Sequence, residues 1–498
     1  MNYRHPLYGT LCLLVCSQTL FSQNHGLWVN SPYGGVYATQ ANPANTSFMA
    51  HKWVVSPGSF DSKIANDYMS LNMPYHPLRL VLGNYPDSLR TKYDNPLWRW
   101  SWIQTNARRE TVSFHSLFNI SGPSALFKYK NHSFGLLSGF NVFADMSGVP
   151  QSLVNHIYEE LKSGKKLEDK PALPLDAMQK VHLNIKQQTW VSVGFNYAYL
   201  WNFKRRKQLS TGITYKLLHS IGGTQMQLDA GEFVEQSDKT IKISTPGIHI
   251  KTMMPRNHIF YPRGFGGIDL GLVFQDKKSE TGRSNNNKKR HPDYKYKVGL
   301  SILDIGHLVY TRTITTEMQS RNQSLTLPSV EDMMQWSPDK VREELLKSIS
   351  DLDNTGPETF YGKRIRIGLP TRLLLHGNIQ INKYLYIDGV WQQNLRKRDG
   401  NNINSLSYLS LTPRIENKWF TIGLPFSLDN NYRQAGLGLY ARLYWLYMGS
   451  RNIVSIISPN GRQSTDFFVG IQFGNLPGKP FKGKTPYMFM RKRRCAEF

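Results

Sequence analysis

The first residues whose spacing suggests chemistry are three glycines. Gly264, Gly266 and Gly267 stand close together, as in loops that cradle phosphate groups. In a dinucleotide-binding fingerprint the glycines follow a strand and open a helix, whereas these precede the predicted strand within 268–274. The cluster therefore indicates close strand packing or a bend in the chain.

The sequence lacks the common motifs for catalysis and metal binding. It contains neither His-Glu-x-x-His nor Gly-x-Ser-x-Gly, and its 14 histidines are scattered. Only one of the three cysteines, Cys495, lies beyond the N-terminal apolar stretch, so the mature chain cannot form a cysteine metal cluster or a cysteine redox pair. We therefore predict no catalytic residue, no metal site, no cofactor and no enzymatic activity.

Residues 1–22 have the parts of a secretory signal peptide. Basic residues open the segment, residues 7–15 form a short apolar core, and Ser22 offers a small residue before a cut. Cleavage after Ser17 and lipidation of Cys16 are the alternatives. We expect Sec-type export of the remaining chain.

Beyond this segment, apolar and polar residues alternate with a period of two, which is typical of β-strands. Two sets of residues are distinguished by this alternation. The apolar faces carry the candidate lipid-facing residues Val191, Val193, Phe195, Leu439, Leu443 and Phe467. The opposite faces carry the candidate lumen residues Lys216, Asp269 and Arg442.

One carboxylate departs from this alternation. Asp304 falls in phase with the apolar residues of its strand, which indicates a position beyond the bilayer edge or a bulge that shifts the register. For both Asp304 and Asp269, an ion pair with an arginine inside the molecule is a better interpretation than catalysis.

Strand length separates two all-β architectures, a soluble sandwich and a transmembrane barrel. Residues 191–203 and 436–447 read as strands of about 12 residues, longer than the usual five or six and suited to a tilted membrane strand. Tyrosine and tryptophan crowd the strand ends at 197–201 and 444–447, as in an aromatic girdle. These features favour the barrel, and a soluble exported β protein is the alternative.

The connections between strands support the same interpretation. Residues 203–208 form a tight basic turn, whereas 148–181, 220–264, 276–292 and 316–359 are long and polar. Short turns at one end and long loops at the other are typical of outer-membrane barrels. Helical spacing of apolar residues predicts two short loop helices, over 151–163 and 329–351.

The chain is strongly basic, with 61 Lys and Arg against 35 Asp and Glu and a formal charge of +26. The basic clusters lie in turns, loops and the tail, at 204–207, 288–290, 396–398 and 491–494. Export argues against nucleic acid as a partner. The clusters instead indicate outer-membrane lipid head groups or lipopolysaccharide phosphates.

Four segments carry a resemblance to a known family. The Asp-Leu-Gly strand within 263–274, the Leu-Asp-Ile-Gly strand within 296–306, the region 417–452 and the element Asn42-Pro43-Ala44 resemble an uncharacterised family of Bacteroidota outer-membrane proteins. That family is similar to the FadL-like barrels and to the PorV and PorP proteins of the type 9 secretion system. The resemblance covers about 38–474.

The resemblance implies a single antiparallel transmembrane β-barrel of about 14 strands with an N-terminal segment in its lumen. It divides the chain into a signal peptide (1–22), a candidate plug (23–66) that contains Asn42, Pro43 and Ala44, the barrel (67–474) and a basic tail (475–498). The outer membrane is the expected location.

Two functions fit this architecture. The first is a FadL-like conduit for small hydrophobic molecules. The second is a non-transporting barrel that scaffolds an envelope protein partner, as in a type 9 secretion-like complex. An apolar pocket behind the N-terminal segment would favour transport, and a lumen packed by Lys, Arg and Asp would favour scaffolding.

Overall fold

The structure is a computed structural model of the whole chain. It describes residues 25–72, 102–105, 111–151, 155, 181–203, 206–230, 232–235, 241–245, 247–255, 266–277, 294–310, 313–317, 323–327, 358–361, 365–396, 402–457 and 464–474. The predicted signal peptide, the basic tail and nearly all of the two predicted loop helices lie outside these residues. Among the described residues, no helix is long and apolar enough to cross a membrane.

Helices are few and short in the described residues. They are α1 (His25–Trp28), α2 (Gly35–Ala41), a 3-10 helix (Pro43–Phe48) and α3 (Val454–Ile457).

Strands make up most of the described chain. The strands of its first half are β1 (Trp53–Asn66), β2 (Met69–Leu71), β3 (Ile103–Thr105), β4 (Thr111–Ser121), β5 (Ser124–Tyr129), β6 (His132–Pro150), β7 (Val181–Phe203), β8 (Lys207–Ala230), β9 (Glu232–Glu235), β10 (Ile241–Thr245) and β11 (Gly247–Pro255). The next are β12 (Gly267–Lys277), β13 (Tyr294–Ile305), β14 (His307–Tyr310), β15 (Thr313–Glu317), β16 (Gln323–Leu327), β17 (Glu358–Tyr361), β18 (Ile365–Gly368), β19 (Arg372–Gln380) and β20 (Leu385–Asn394). The last are β21 (Tyr408–Glu416), β22 (Phe420–Gly423), β23 (Phe426–Asp429), β24 (Gln434–Leu437), β25 (Leu439–Leu443), β26 (Leu446–Ser450) and β27 (Ser464–Gly474).

Antiparallel pairing closes the main sheet into a barrel. The first strand, β1, pairs with β4 and β5 on one side and with β27 on the other. Between them the ring runs through β6, β7, β8, β12, β13, β19, β20 and β21. The next position is shared by β22 and β23, which both pair with β21, and the one after it by β24 and β25; β26 then leads to β27. The predicted all-β closed barrel is therefore confirmed.

One part of the wall is extended beyond this ring. The long strand β8 pairs with β12 along 207–216 and with β11 along 223–229, and β11 pairs in turn with β15. With β11 and β15 counted as strands of their own, the barrel has sixteen strands, slightly more than the predicted number of about 14.

The two faces of the wall differ in the way that the alternation predicts. Large apolar side chains point outward around the ring; examples are Leu272 in β12, Leu300 in β13 and Leu411 in β21, which are 46%, 41% and 56% exposed. Alternate residues of the same strands point inward, and many of them are buried polar or charged side chains. An apolar outer face around a polar interior is the reverse of a soluble protein and is typical of a membrane barrel.

The predicted boundary between plug and barrel is wrong. The sequence assigns 23–66 to the N-terminal segment, but Trp53–Asn66 is wall strand β1, so the part of this segment that lies in the lumen ends before Trp53. The inward face of β1 carries Asp61 and Lys63, both buried. These charges give β1 the polar character of a loop segment, and only the closed wall shows that they face the interior.

The predicted strand over 436–447 is also wrong. Its residues belong to β24, β25 and β26, and the chain reverses at Tyr444 and Trp445, where Tyr444 has a φ of 59°. Tyr447 is consequently buried in the interior instead of sharing the outer face of Leu443. Tyrosine and tryptophan are common both in strands and in turns at the membrane surface. The apolar–polar alternation of the sequence therefore does not reveal the turn at Tyr444 and Trp445.

Candidate functional site

The candidate site is the barrel lumen, which an N-terminal stretch fills. We call residues His25–Ala50 the lumen segment; it contains α1, α2 and the 3-10 helix. Nearly all of its residues are buried, although none of them belongs to a strand of the barrel wall. The segment contains no Lys, Arg, Asp or Glu.

An aromatic pocket in the wall holds the first part of the lumen segment. The Trp28 ring lies edge-on to Tyr440 and Tyr447, with ring centroids 4.8 and 5.0 Å apart. Tyr37 lies edge-on to Tyr447 and Phe468 at 5.1 and 4.9 Å, and its hydroxyl donates to the Ile471 carbonyl at 3.0 Å. Burial raises the pKa of the Tyr37 hydroxyl, so that it remains a donor.

The opposite wall receives Asn42, Pro43 and Ala44 on a row of glycines. An ideal Cβ on Gly271 would lie 2.1 Å from Asn42 Oδ1, and one on Gly212 would lie 2.4 Å from the Ala44 nitrogen. These two glycines are register partners on β12 and β8. The backbone of the lumen segment therefore contacts the sheet at a distance that only glycine permits.

Asn42 links the lumen segment to three wall strands and also caps the 3-10 helix. Its amide donates to the carbonyls of Leu272 and Leu300 at 3.1 and 3.2 Å and lies 3.0 Å from His376 Nε2. Its Oδ1 accepts a hydrogen bond from the Ala44 amide at 3.0 Å. These bonds give the buried Asn42 amide its partners and so avoid the cost of an unpaired polar group in the interior.

Wall side chains also satisfy the carbonyl groups of the lumen segment. The donors are Lys297 Nζ to Asn30 at 2.8 Å, Ser301 Oγ to Ala41 at 2.8 Å, Ser210 Oγ to Ala44 at 2.8 Å, Lys128 Nζ to Met49 at 2.7 Å and Tyr447 OH to Tyr33 at 2.7 Å. They come from β13, β8, β5 and β26, on different sides of the ring. The lumen segment is thus seated across the lumen and not along one wall.

Arg442 and Tyr33 form a further contact between wall and lumen segment. The buried Arg442 guanidinium lies 4.4 Å from the Tyr33 ring centroid. It donates to Thr421 Oγ1 at 3.0 Å and to the Lys418 carbonyl at 3.2 Å. This cation–π contact satisfies a buried arginine without an ion pair to the lumen segment.

Buried ion pairs form a first wall cluster near the end of the barrel where the turns are short. Arg414 Nε lies 2.8 Å from Asp388, and Arg414 Nη1 lies 2.8 Å from Glu416. The Arg414 guanidinium also stacks 4.7 Å from the Tyr386 ring. The hydroxyl of Ser31 in the lumen segment donates to Glu416 of this cluster.

A second cluster joins β1 to the last strands of the ring. Lys63 pairs with Asp429, and Arg451 pairs with Asp466 at 3.0 Å. The Arg451 guanidinium also lies 3.9 Å from the Tyr408 ring. Two cations and two anions thus balance one another within the wall.

The third cluster contains the two carboxylates of the Asp-Leu-Gly and Leu-Asp-Ile-Gly strands. Lys216 Nζ lies 2.7 Å from Asp269 and 2.6 Å from Asp304, and Arg372 lies 3.3 Å from Asp304. Asp304 has a φ of 58°, and the β12–β13 register shifts between Ile268 and Leu270. This irregular backbone turns Asp304 inward although the alternation would place it on the outer face.

A second element fills the lumen beyond the lumen segment. Strands β14 and β18, which we call the ribbon, pair with each other and leave the wall between β13 and β19. Leu308 and Ile367 of the ribbon pack with Phe143 and Trp190 on the inner faces of β6 and β7. The Tyr310 hydroxyl donates to the Gly222 carbonyl of β8 at 3.2 Å. The ribbon therefore reaches from one side of the barrel to the other.

One small cavity between the lumen segment and the wall has a lining of mixed polarity. The cavity behind the lumen segment is lined by Gly26, Ala41, Leu303, Arg372, Leu374, Gln392 and Tyr408. Within the described part of the chain, no group of three or more His, Cys, Asp or Glu is placed to hold a metal ion.

The structure brings the candidate lumen residues to the interior, but at three places. Asn42, Pro43 and Ala44 contact β8 and β12; Lys216 and Asp269 form the third ion cluster; Arg442 faces Tyr33. Among the candidate lipid-facing residues, Phe195, Leu439 and Leu443 are exposed on the outside, whereas Val191, Val193 and Phe467 are half-buried.

Sequence reasoning missed the aromatic pocket and two of the ion clusters. Trp28 and Tyr37 read as ordinary apolar residues, and their partners come from more than 400 positions away along the chain. A signal existed for the clusters, because Asp388, Arg414 and Glu416 all fall on the polar phase of their strands. Their mutual pairing is a property of the barrel register.

A comparison with protein-family models identifies the family. One model matches residues 43–450, well over half of the chain. The chain belongs to this family, which is described as a family of unknown function, DUF5723. A search of curated protein sequences gave no match.

Solved outer-membrane barrels are similar over most of the chain at very low sequence identity. The Ralstonia pickettii toluene transporter TbuX matches with a TM-score of 0.38 and 8% identity, covering 88% of this chain and 94% of its own. A Pseudomonas aeruginosa FadL homologue matches with a TM-score of 0.36 and 9% identity, covering 91% of this chain and 92% of its own. The Pseudomonas putida toluene transporter TodX matches with a TM-score of 0.33 and 9% identity, covering 91% of this chain and 93% of its own.

Proposed function

We propose that this DUF5723 protein is an outer-membrane barrel that serves as a gated conduit for small hydrophobic molecules, with the lumen segment as its plug. The observation that carries the proposal is an uncharged segment seated in a lumen whose ion pairs are complete without it. Export through the predicted signal peptide is part of this proposal.

The outer surface supports a membrane location. Apolar side chains, most of them aliphatic, cover the middle of the wall, and a group of exposed aromatic residues lies near the short turns. These aromatic residues are Trp53, Phe127, Tyr129, Tyr197, Trp201, Phe203, Tyr296, Tyr384, Trp445 and Phe473. An apolar band bordered by an aromatic girdle is the surface that a bilayer and its head-group region require.

The chemistry of the plug supports gating. Each of the three ion clusters is formed between wall residues, so withdrawal of the lumen segment would leave the charges within each cluster paired with one another. The segment is held by hydrogen bonds and aromatic contacts, which a competing ligand or water can replace.

The aromatic pocket supports a hydrophobic substrate. When Trp28 and Tyr37 withdraw, the rings of Tyr440, Tyr447 and Phe468 become the lining of an apolar site. A small hydrophobic or aromatic molecule would replace the buried area and the edge-on ring contacts that the lumen segment now supplies.

Single-channel recording in planar bilayers tests the conduit. We expect deletion of residues 25–50 to raise conductance, because it removes the element that fills the lumen next to the short turns. Heat-dependent mobility in gels establishes that the shortened barrel is folded. Negligible conductance of a folded deletion variant, even when Leu308→Ser and Ile367→Ser loosen the ribbon, would contradict the conduit.

A scaffold for an envelope protein partner is the second candidate. It is favoured by the presence of two elements, the lumen segment and the ribbon, inside the lumen. The lumen segment and the ribbon are both packed against the wall, and the ion clusters place Lys, Arg and Asp inside. Such a barrel would act through its loops, as expected for a relative of the secretion-system barrels. A stoichiometric partner that co-purifies from native membranes in mild detergent would support the scaffold, and a clean monomer would argue against it.

A further inference from the structure

The end of the barrel with short turns carries a ring of basic side chains. We call these eight residues the basic collar: Lys52, Lys130, Arg206, Lys207, Lys277, Lys295, Lys383 and Lys418. They lie in the turns β5–β6, β7–β8, β19–β20 and β21–β22 and at the neighbouring ends of β1, β12 and β13. The connection 278–293 between β12 and β13 also leaves the wall at this end, so one of the connections predicted to be a long loop on the other side is placed here. The Lys52 carbonyl accepts from the Lys128 amide at 2.8 Å, and the Arg206 carbonyl accepts from the Lys277 amide at 3.1 Å, which fixes two of these ends beside the turns.

Opposite charge is scarce at this end. All eight side chains are exposed or half-exposed, and Asp276 is the one described acidic residue beside them that is not buried. Glu416 lies at the same level but is buried in the lumen with Arg414. The collar therefore presents a positive charge to the surroundings and has almost no internal counter-charge.

Aromatic rings hold three members of the collar at the level of the girdle. Lys130 Nζ lies 5.4 Å from the Tyr129 ring centroid, Lys383 Nζ lies 5.0 Å from Tyr384, and Lys418 Nζ lies 4.5 Å from Trp419. Each ring is the sequence neighbour of its lysine. The same arrangement at three separate turns places an ammonium group where the apolar band gives way to head groups.

From this arrangement we infer that the basic collar binds the phosphate groups of anionic phospholipids in the inner leaflet of the outer membrane. The inference rests on the proposed membrane location. Short turns face the periplasm in outer-membrane barrels, so the collar would meet inner-leaflet phospholipid and not the lipopolysaccharide of the outer leaflet.

The shape of the collar favours lipid over a protein partner. Its members follow the ring from β1 through β8, β13 and β20 to β22, whereas a protein docks on one side. An annular charge directly below an annular apolar band matches a bilayer surface, where each Lys or Arg adds to the attraction for anionic lipid.

Quenching of tryptophan fluorescence by brominated lipids tests the inference, because Trp53, Trp201, Trp419 and Trp445 lie at this end. The full-length barrel is reconstituted in phosphatidylcholine bilayers that contain brominated phosphatidylglycerol or brominated phosphatidylcholine. We expect stronger quenching by phosphatidylglycerol, and a preference that falls by roughly an order of magnitude in the variant Lys52→Gln, Lys130→Gln, Lys383→Gln, Lys418→Gln. The preference should also weaken in high salt, since exposed charges are screened.

Lys→Arg at the same four positions is the matched control, and it should retain the preference because the charge is kept. Equal quenching by the two lipids, or an unchanged preference in the Gln variant, overturns the inference. So does full competition by inorganic phosphate, which would identify a site for the free anion, or loss of a co-purifying protein in the Gln variant without a change in lipid preference. A barrel that does not enter bilayers at all contradicts the proposed function instead.

Discussion

Close contact between backbone atoms decides how the lumen segment fits its wall. Gly212 and Gly271 leave room for the backbone of residues 42–44, and a side chain at either position would meet atoms of that backbone or of the Asn42 amide. Because main-chain atoms cannot rotate away as a long side chain can, these positions tolerate little change.

Gly212→Ala should loosen the seat of the lumen segment. The new methyl group would lie 2.4 Å from the Ala44 nitrogen and 2.5 Å from the Pro43 carbonyl carbon, and overpacking of this kind costs about 1–3 kcal/mol. We expect faster hydrogen exchange in peptides that cover residues 35–48, measured by mass spectrometry. Gly389→Ala is the control, since nothing lies within 4 Å of its Cβ position. Equal protection in both variants would show that the glycine row does not position the segment.

Arg414→Met should destabilise the barrel more than most single substitutions. It leaves Asp388 and Glu416 buried without their shared cation, and breaking a buried ion pair in this way costs about 3–5 kcal/mol. The free energy of unfolding in urea, followed by the gel mobility of the folded form, measures this loss. Adding Asp388→Asn and Glu416→Gln should recover much of it, and a triple variant no more stable than the single one would contradict the pairing.

Two elements obstruct the lumen, one on each side of its middle. The lumen segment is anchored near the short turns by Trp28 and Tyr37, whereas the ribbon packs against β4, β6 and β7 further along. An element that crosses a barrel in this way must satisfy its own backbone groups, which the ribbon does by pairing β14 with β18.

The two obstructions should act in series. Deleting 25–50 should raise conductance, and Leu308→Ser with Ile367→Ser should raise it further in the deleted background while changing little in the full-length barrel. Both serines weaken the apolar contact of the ribbon with Phe143 and Trp190. Planar-bilayer recording of the four variants checks this pattern. A large increase from the ribbon substitutions alone would mean that the lumen segment does not close the path.

The whole molecule is organised around an outer apolar band, a polar lumen and an aromatic girdle with basic residues at one end. These layers follow the barrel axis and not the chain order, so each is assembled from many strands. Membrane insertion explains all of them together, because lipid solvates the band and head groups solvate the girdle.

Depth in the membrane should therefore control the cost of a charge on the outer face. Leu272→Arg lies near mid-wall and should cost about 2–4 kcal/mol, whereas Tyr296→Arg, in the girdle of the neighbouring strand, should cost about 0–1 kcal/mol. Both positions are exposed, at 46% and 38%. Urea-dependent folding into lipid vesicles measures the two values. Similar small costs at both positions would mean that water, and not lipid, covers this face.

The sequence by itself determined the local features of this protein. A period of two in side-chain polarity depends on neighbouring residues alone, so strands, their outer faces and the barrel class could be predicted from it. The residues Asn42, Pro43 and Ala44, Lys216, Asp269 and Arg442 could likewise be selected for the interior, because each lies on the polar face of an alternating strand or carries the family resemblance.

The tertiary structure decided which of these residues meet. Asp304 joins Lys216 across 88 positions only because a left-handed residue and a register shift turn it inward, and Trp28 reaches Phe468 only because the ring closes. The sequence did not reveal the start of the barrel wall at Trp53 or the chain reversal at Tyr444, because both depend on which strands pair. Partners, closure and the filling of the lumen depend on contacts between distant strands, which no local pattern encodes.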